Sequence, residues 1–280
     1  MQPTSNYVTV EGRQLHYMEW GAGNAETVIA WHGLARTGRD MDELAAHLAP
    51  VYRVICPDTI GRGLSQWSPH PEQEYCLEFY AKLAVGLAAA LKISYMHWVG
   101  TSMGGAIGIK LAARALSGRI KRLVLNDIGP KIAEAATTRI RSYAGSPPEF
   151  DTVGELEEYF RTVYKPYGWL SDLQWRRLTE TSTRRKDNGK VTPHYDPKMV
   201  LQFTGHPDDY ELWEDWDWIT APTLVLRGEN SDLLLPEVAR EMTQRGPKAT
   251  LAEIAGCGHA PALNVPGQLI LISDFLAAAG

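Results

Sequence analysis

Cysteine is scarce in this chain. Three stand in 280 residues, at Cys56, Cys76 and Cys257. An odd number without close spacing builds neither a disulfide framework nor a zinc site, and fits reduced thiols in a cytoplasm. Basic excess is also missing. The count is 28 Lys and Arg against 33 Asp and Glu, for a net charge of −5. General nucleic-acid binding needs a basic surface to displace counterions, so no nucleic-acid partner is expected. No apolar run reaches the ~20 residues that span a bilayer. The longest hydrophobic segment, 76–91, carries Glu78 and Lys82, so no membrane insertion is expected. The N-terminal stretch MQPTSNYVTVEG has no basic start and no apolar core, and does not read as a secretory signal. Gly-Lys-Ser or Gly-Lys-Thr, the end of a nucleotide P-loop, does not occur. No His, Asp and Glu group has metal-site spacing such as H-E-x-x-H. The expectation is a cytoplasmic protein without cofactor or metal.

What is present is a rhythm of short apolar runs and amphipathic segments. A hairpin is expected from Tyr7–Val10 and Gln14–Trp20 around Glu11-Gly12-Arg13. Strands follow at 27–31, 52–56, 96–99 and 122–125, with helices at 41–48, 76–91 and 106–116 between and after them. From Lys131 to about Asp217 the chain turns polar and aromatic, broken by Ser146-Pro147-Pro148, Lys165-Pro166 and Asp196-Pro197. Short helical pieces and no strand are expected there. The rhythm resumes with strands at 223–227 and 250–254 and helices at 236–245 and 266–279. Alternation of this kind makes a mostly parallel sheet covered on both faces. The expected division is a core of residues 1–130 and 218–280, with a helical lid of residues 131–217 inserted.

In open α/β sheets, ligands bind beyond the carboxyl ends of the strands. The strands deliver His32-Gly33-Leu34, Asp58, Ser102, Asp127, Asp232 and His259 to that rim. Ser102 stands in "WVGTSMGG", at a strand-to-helix corner. A dinucleotide fingerprint would have glycine where Ser102 is. A plain turn serine would be alone, but this one has a histidine and several aspartates at neighbouring strand ends. Gly-x-Ser-x-Gly permits a sharp, strained turn that exposes the hydroxyl. A helix N-terminus there favours developing negative charge.

The motifs His32-Gly33, Asp58-x-x-Gly61-x-Gly63-x-Ser65, Gly100-x-Ser102-x-Gly104-Gly105, Asp232 in "RGENSDLLLP" and Gly258-His259-Ala260-Pro261 resemble those of the α/β-hydrolase superfamily, in its serine esterase-like form with a helical lid. The resemblance runs from the first hairpin to the last helix and is weakest in the lid. It implies an eight-stranded, mostly parallel sheet flanked by helices. It implies Ser102 as nucleophile, His259 as general base and acid, and Asp232 as the acid that orients His259. The backbone N–H groups of Leu34 and Met103 would form the oxyanion hole. Asp127 is the alternative acid, since some relatives place it after that strand; otherwise it anchors a loop at the lid entrance. Asp58 is expected to tie down its glycine loop, His32 to shape the oxyanion loop, and Cys257 to be a small buried side chain.

Serine at the elbow points to acyl transfer. The expected function is hydrolysis of carboxylic esters of small to medium acyl chains through an acyl-enzyme. Alternatives are a carbon–carbon bond hydrolase of dienoic diketone-type acids, or a ligand-sensing hydrolase-fold protein with slow turnover. Trp169, Trp213, Trp216 and Trp218 are candidates to line an apolar acyl pocket, beside the reading that they glue a small lid to the sheet.

Overall fold

The computed structural model describes residues 2–278. Ten strands run in chain order: β1 Thr4–Val10, β2 Arg13–Trp20, β3 Thr27–Trp31, β4 Arg53–Pro57, β5 Met96–Thr101, β6 Ile120–Asn126, β7 Thr183–Arg185, β8 Val191–Pro193, β9 Thr223–Gly228 and β10 Thr250–Ile254. Eight of them form one sheet in the order β1-β2-β4-β3-β5-β6-β9-β10. Pairing is antiparallel for β1 with β2 and β2 with β4, and parallel from β4 onward. This is the expected α/β-hydrolase sheet.

The helices are α1 Asp42–Leu48, α2 Pro71–Glu74, α3 Leu77–Ala90, α4 Met103–Ala113, α5 Glu134–Ala144, α6 Val153–Val163, α7 Asp172–Thr181, α8 Gln202–Gly205, α9 Trp213–Trp218, α10 Pro236–Met242 and α11 Pro266–Ala277. None is long and apolar enough to cross a membrane. The central strands are buried on both faces, and their side chains alternate between two cores with the period of a strand. Ile29, Trp31, Trp98, Leu123, Leu125 and Val225 pack on the face covered by α3 and α4. Val28, Ala30, Val99, Val124, Leu224 and Leu226 pack on the face covered by α1 and α11.

Between β6 and β9 the chain leaves the sheet and runs through α5 to α9. Two of these helices start on reciprocal caps: Thr152 with Glu155 opens α6, and Ser171 with Gln174 opens α7. Leu156, Phe160, Tyr164, Trp175 and Val191 make a separate apolar cluster there. The expectation of no strand in this stretch is corrected. β7 and β8 form a small antiparallel ribbon. Its turn holds Asn188-Gly189, with Gly189 at φ 82°, and this dipeptide is a hairpin signal in the sequence. Helix α4 also begins earlier than its apolar pattern suggests, at Met103 directly after Ser102.

Candidate active site

Ser102 sits between β5 and α4 as the residue preceding the first helical turn, at φ 51° and ψ −118°. A positive φ is strained for any side chain beyond glycine. The glycines on either side make the strain tenable. A Cβ on Gly100 would lie 2.3 Å from the Gly104 carbonyl oxygen, and one on Gly104 would lie 2.3 Å from that of Trp31. Strand and helix therefore close on each other as no other residue allows. The Ser102 N–H donates to the Asn126 carbonyl at 2.9 Å, which ties the corner to the end of β6.

The hydroxyl of Ser102 lies 2.9 Å from His259 Nε2. On the far side of the ring, Nδ1 lies 2.7 Å from Asp127 Oδ2. A carboxylate only accepts hydrogen bonds, so Nδ1 carries the proton and Nε2 presents its lone pair to the Ser102 hydroxyl. Asp127 is fully buried directly after β6. Besides His259, it accepts from the Gly228 N–H at 2.8 Å and the Ser231 hydroxyl at 2.5 Å. A buried carboxylate with three donors is compensated in the way an isolated one is not.

The expected pairing of His259 with Asp232 is corrected by this geometry. Asp232 is half-exposed and makes a two-point ion pair with Arg139, at 2.8 Å to Nε and 2.9 Å to Nη2. The loop after β9 does reach the site, but through Gly228 and Ser231, which hold the Asp127 carboxylate. Asp127 directly follows a buried strand and is fixed by it. Asp232 lies four residues beyond the end of β9, far enough for the loop to turn it to solvent.

The loop after β3 lies against Ser102, since a Cβ on Gly33 would stand 3.6 Å from the Ser102 Cβ. His32 is fully buried beneath it. Its ring accepts the Thr59 N–H at Nε2, 2.9 Å, and donates from Nδ1 to the Gly33 carbonyl at 2.6 Å. Burial lowers its pKa to about 4, so the ring is neutral. Arg62, also fully buried, donates to the Leu34 carbonyl at 2.9 Å and to the Ile60 carbonyl at 2.7 Å. Arg62 occupies an unassigned position of the Asp58-x-x-Gly61-x-Gly63 motif. Its signal is a lone cation among Gly61, Gly63 and apolar neighbours. The N–H of Leu34 has no partner among the described residues, and Met103 opens α4, where helix geometry offers its N–H no acceptor.

Asp58 ties its glycine loop as expected. It accepts the N–H groups of Gly38 at 2.7 Å and Leu64 at 2.9 Å, with His16 Nδ1 at 2.8 Å. Burial works against its ionisation, but the His16 hydrogen bond and charge outweigh this and lower its pKa. Cys257 is buried, and burial raises its thiol pKa, which suppresses the nucleophilic thiolate.

Two adjoining cavities meet at the site and share Gly33, Arg36, Thr101, Tyr167 and Ala260. One contains Ser102 and His259 and is walled by Ile140, Tyr143, Val163 and Tyr164. The other extends past Leu170, Leu178 and Leu263. The expected tryptophan lining is corrected, because none of the four candidates borders either cavity. Trp216 is fully buried in the core, with its Nε1–H on the Arg245 carbonyl at 3.1 Å. Trp213 stacks beneath Arg245. Trp169 and Trp218 are exposed, each at 69 %. Tyrosines and aliphatic side chains of the inserted segment line the cavities instead.

The chain matches the family model for the alpha/beta hydrolase fold over residues 26–264. It belongs to that family. This α/β hydrolase is 37 % identical to the 3-hydroxybutyrate-oligomer hydrolase of Cupriavidus necator over 276 residues, 95 % of this chain and 94 % of that one. It is 30 % identical to a 2-hydroxy-6-oxononadienedioate/2-hydroxy-6-oxononatrienedioate hydrolase of Cupriavidus pinatubonensis, over 91 % of this chain and 89 % of that one. Among solved structures, an alpha/beta hydrolase of Novosphingobium aromaticivorans superposes with a TM-score of 0.87 at 31 % identity, covering 98 % of each chain.

Proposed function

We propose that this hydrolase cleaves carboxylic esters of small to medium acyl chains, with Ser102 as nucleophile, His259 as base and acid, and Asp127 as the carboxylate that orients His259. The observation carrying this reading is the unbroken relay from the Ser102 hydroxyl through the His259 ring to a buried, three-donor carboxylate.

Ser102 Oγ attacks the ester carbonyl carbon while its proton passes to His259 Nε2. The carbonyl oxygen becomes an oxyanion, met by the N–H groups of Leu34 and Met103. Such a donor typically contributes about 10²–10³ in turnover. The imidazolium is stabilised by Asp127 through Nδ1. Collapse of the tetrahedral intermediate breaks the bond to the alcohol oxygen, which takes the proton from Nε2 and leaves. Water then adds to the acyl-enzyme, giving a proton to His259, and the second collapse returns that proton to Ser102 and frees the acid. The inserted segment between β6 and β9 serves as the lid over this reaction, with Tyr143, Tyr164 and Tyr167 as its pocket face.

A relative named for oligomers of 3-hydroxybutyrate makes short hydroxyacyl esters the first substrates to try. A second reading, hydrolysis of a carbon–carbon bond in a dienoic diketone-type acid, is favoured by the relative named for 2-hydroxy-6-oxononadienedioate. The test is a panel of p-nitrophenyl esters of increasing chain length, hydroxybutyrate oligomers and dienoic diketo acids, given to wild type and Ser102→Ala. Many turnovers on esters, lost in Ser102→Ala, support the ester reading. Turnover of the diketo acids alone replaces it with the second reading. A single turnover on every ester points to a ligand sensor.

A further inference from the structure

Arg36 is buried at 3 % exposure in the wall shared by both cavities beside Ser102. Its Nε and Nη2 each donate to Asp40 at 2.7 Å, and Nη2 also donates to the Ser182 hydroxyl at 2.9 Å. Nη1 is buried and has no hydrogen-bond partner among the described residues. The guanidinium lies over the rings of Tyr164, at 4.5 Å, and Phe160, at 5.5 Å. A buried N–H of a charged group left unpaired is costly, and folded proteins rarely keep one without a use. Tyr143, Tyr164 and Tyr167 line the cavity that holds Ser102, and their hydroxyls make no side-chain hydrogen bond among the described residues. Arg36, Arg39, Arg139 and Arg177 border the two cavities, against Asp40 and Glu43.

We propose that Arg36 Nη1, with the hydroxyls of Tyr143, Tyr164 and Tyr167, is a carboxylate subsite, and that the ester hydrolysed at Ser102 carries a free carboxylate on one arm. The proposal rests on the ester reading above and names its substrate class. Nη1 supplies two charge-assisted donors, and the phenols supply neutral ones on a rigid aromatic wall. Asp40 holds the rest of the guanidinium, so the donor is aligned before substrate arrives. With the carboxylate seated there, the ester carbonyl is anchored at a distance set by the substrate's own chain, which orients it toward Ser102.

The test compares butanoate esters of 3-hydroxybutanoic acid with the corresponding primary amide, together with monoethyl succinate and its amide, so that the carboxylate sits on the alcohol arm in one pair and on the acyl arm in the other. The quantity read is the ratio of kcat/KM for acid over amide, in which any general damage cancels. Wild type is expected to favour the acid tenfold or more in at least one pair, and Arg36→Met to bring that ratio near one. Tyr143→Phe, which keeps the ring and the cation, lowers the ratio by a smaller factor and serves if Arg36→Met does not fold. Calorimetric titration of Ser102→Ala with the same compounds reads the subsite without catalysis. Tighter binding of the acid with no turnover by wild type would leave the subsite and remove the ester reading. Turnover of acid and amide at one rate in both pairs, or a ratio unchanged in Arg36→Met, would overturn the subsite and leave the ester reading.

Discussion

Asp127 holds His259 from the end of β6, and the residues one would credit to an acid on β9, Gly228 and Ser231, hold Asp127 instead. Two strands thus cooperate on one carboxylate: β6 carries it, and the loop after β9 supplies its donors. The consequence for activity is a sharp difference between two aspartates. Asp127→Asn is expected to lower kcat by about 10³–10⁴, since the amide no longer holds the Nδ1–H tautomer or stabilises its charged form. Asp232→Asn removes an exposed ion pair with Arg139 worth about 0–1 kcal/mol, and is expected to change kcat by less than about threefold. Steady-state kinetics of the two purified variants decide it, and equal losses would refute the assignment.

Ser231 gives a finer probe of the same arrangement. Its hydroxyl donates to Asp127 and accepts from the N–H groups of Leu233 at 3.3 Å and Leu234 at 3.2 Å. Ser231→Ala leaves a buried carboxylate with one donor fewer, a loss of about 1–3 kcal/mol by analogy with other unsatisfied buried groups. The melting temperature should fall and kcat should drop severalfold, with KM nearly unchanged. A variant as active and as stable as wild type would show that the hydroxyl does not support the carboxylate.

The aromatic residues of the inserted segment divide into those facing the cavity and those that do not. Trp216→Ala empties a fully buried core position and is expected to cost about 3–5 kcal/mol in urea unfolding. It should leave chain-length preference unaltered. Trp169→Ala and Trp218→Ala should alter neither stability nor preference appreciably. Tyr164→Ala and Tyr167→Ala, by contrast, should shift the acyl-chain profile. A profile that moved in Trp218→Ala and not in the tyrosine variants would reverse this division.

His32 makes stability depend on pH in a stated direction. Its pKa lies at about 4 in the folded chain, with burial the chief cause, against ~6.5 when unfolded. The unfolded chain therefore takes up a proton below pH ~6.5 that the folded chain refuses until about pH 4. Stability is complete above that window and falls through it as pH falls, by about 3 kcal/mol for this group. Urea unfolding at pH 7 and pH 5 should show the loss in wild type and a smaller loss in His32→Gln. An identical pH dependence in the variant would contradict the neutral buried ring.

The sheet was legible because its strands are short and apolar and are punctuated by glycine and proline, the central ones being buried on both faces. Thr27–Trp31 and Thr250–Ile254 fall where the apolar runs do. The elbow was legible too, because Gly100 and Gly104 are demanded by a close approach of backbones and tolerate no substitute. What depended on loop path was not. Asp127 and Asp232 both follow strands, and nothing local records that one turns inward while the other meets Arg139 in solvent. Aromatic content likewise does not say where a side chain faces, so neither the buried Trp216 nor the exposed Trp169 and Trp218 could be told from Tyr164. The orphaned Nη1 of Arg36 is a purely three-dimensional fact, since the sequence shows only a cation near Gly33.

The central claim is that Ser102 forms a bond to the acyl group, with His259 and Asp127 behind it. Rapid mixing of the protein with p-nitrophenyl butyrate, acid quench and peptide mass spectrometry test it most directly. The account predicts a butanoyl adduct on the peptide containing Ser102, accumulating in the first turnover and missing from Ser102→Ala together with its hydrolysis. An adduct on another residue, or undiminished hydrolysis in Ser102→Ala, would contradict it.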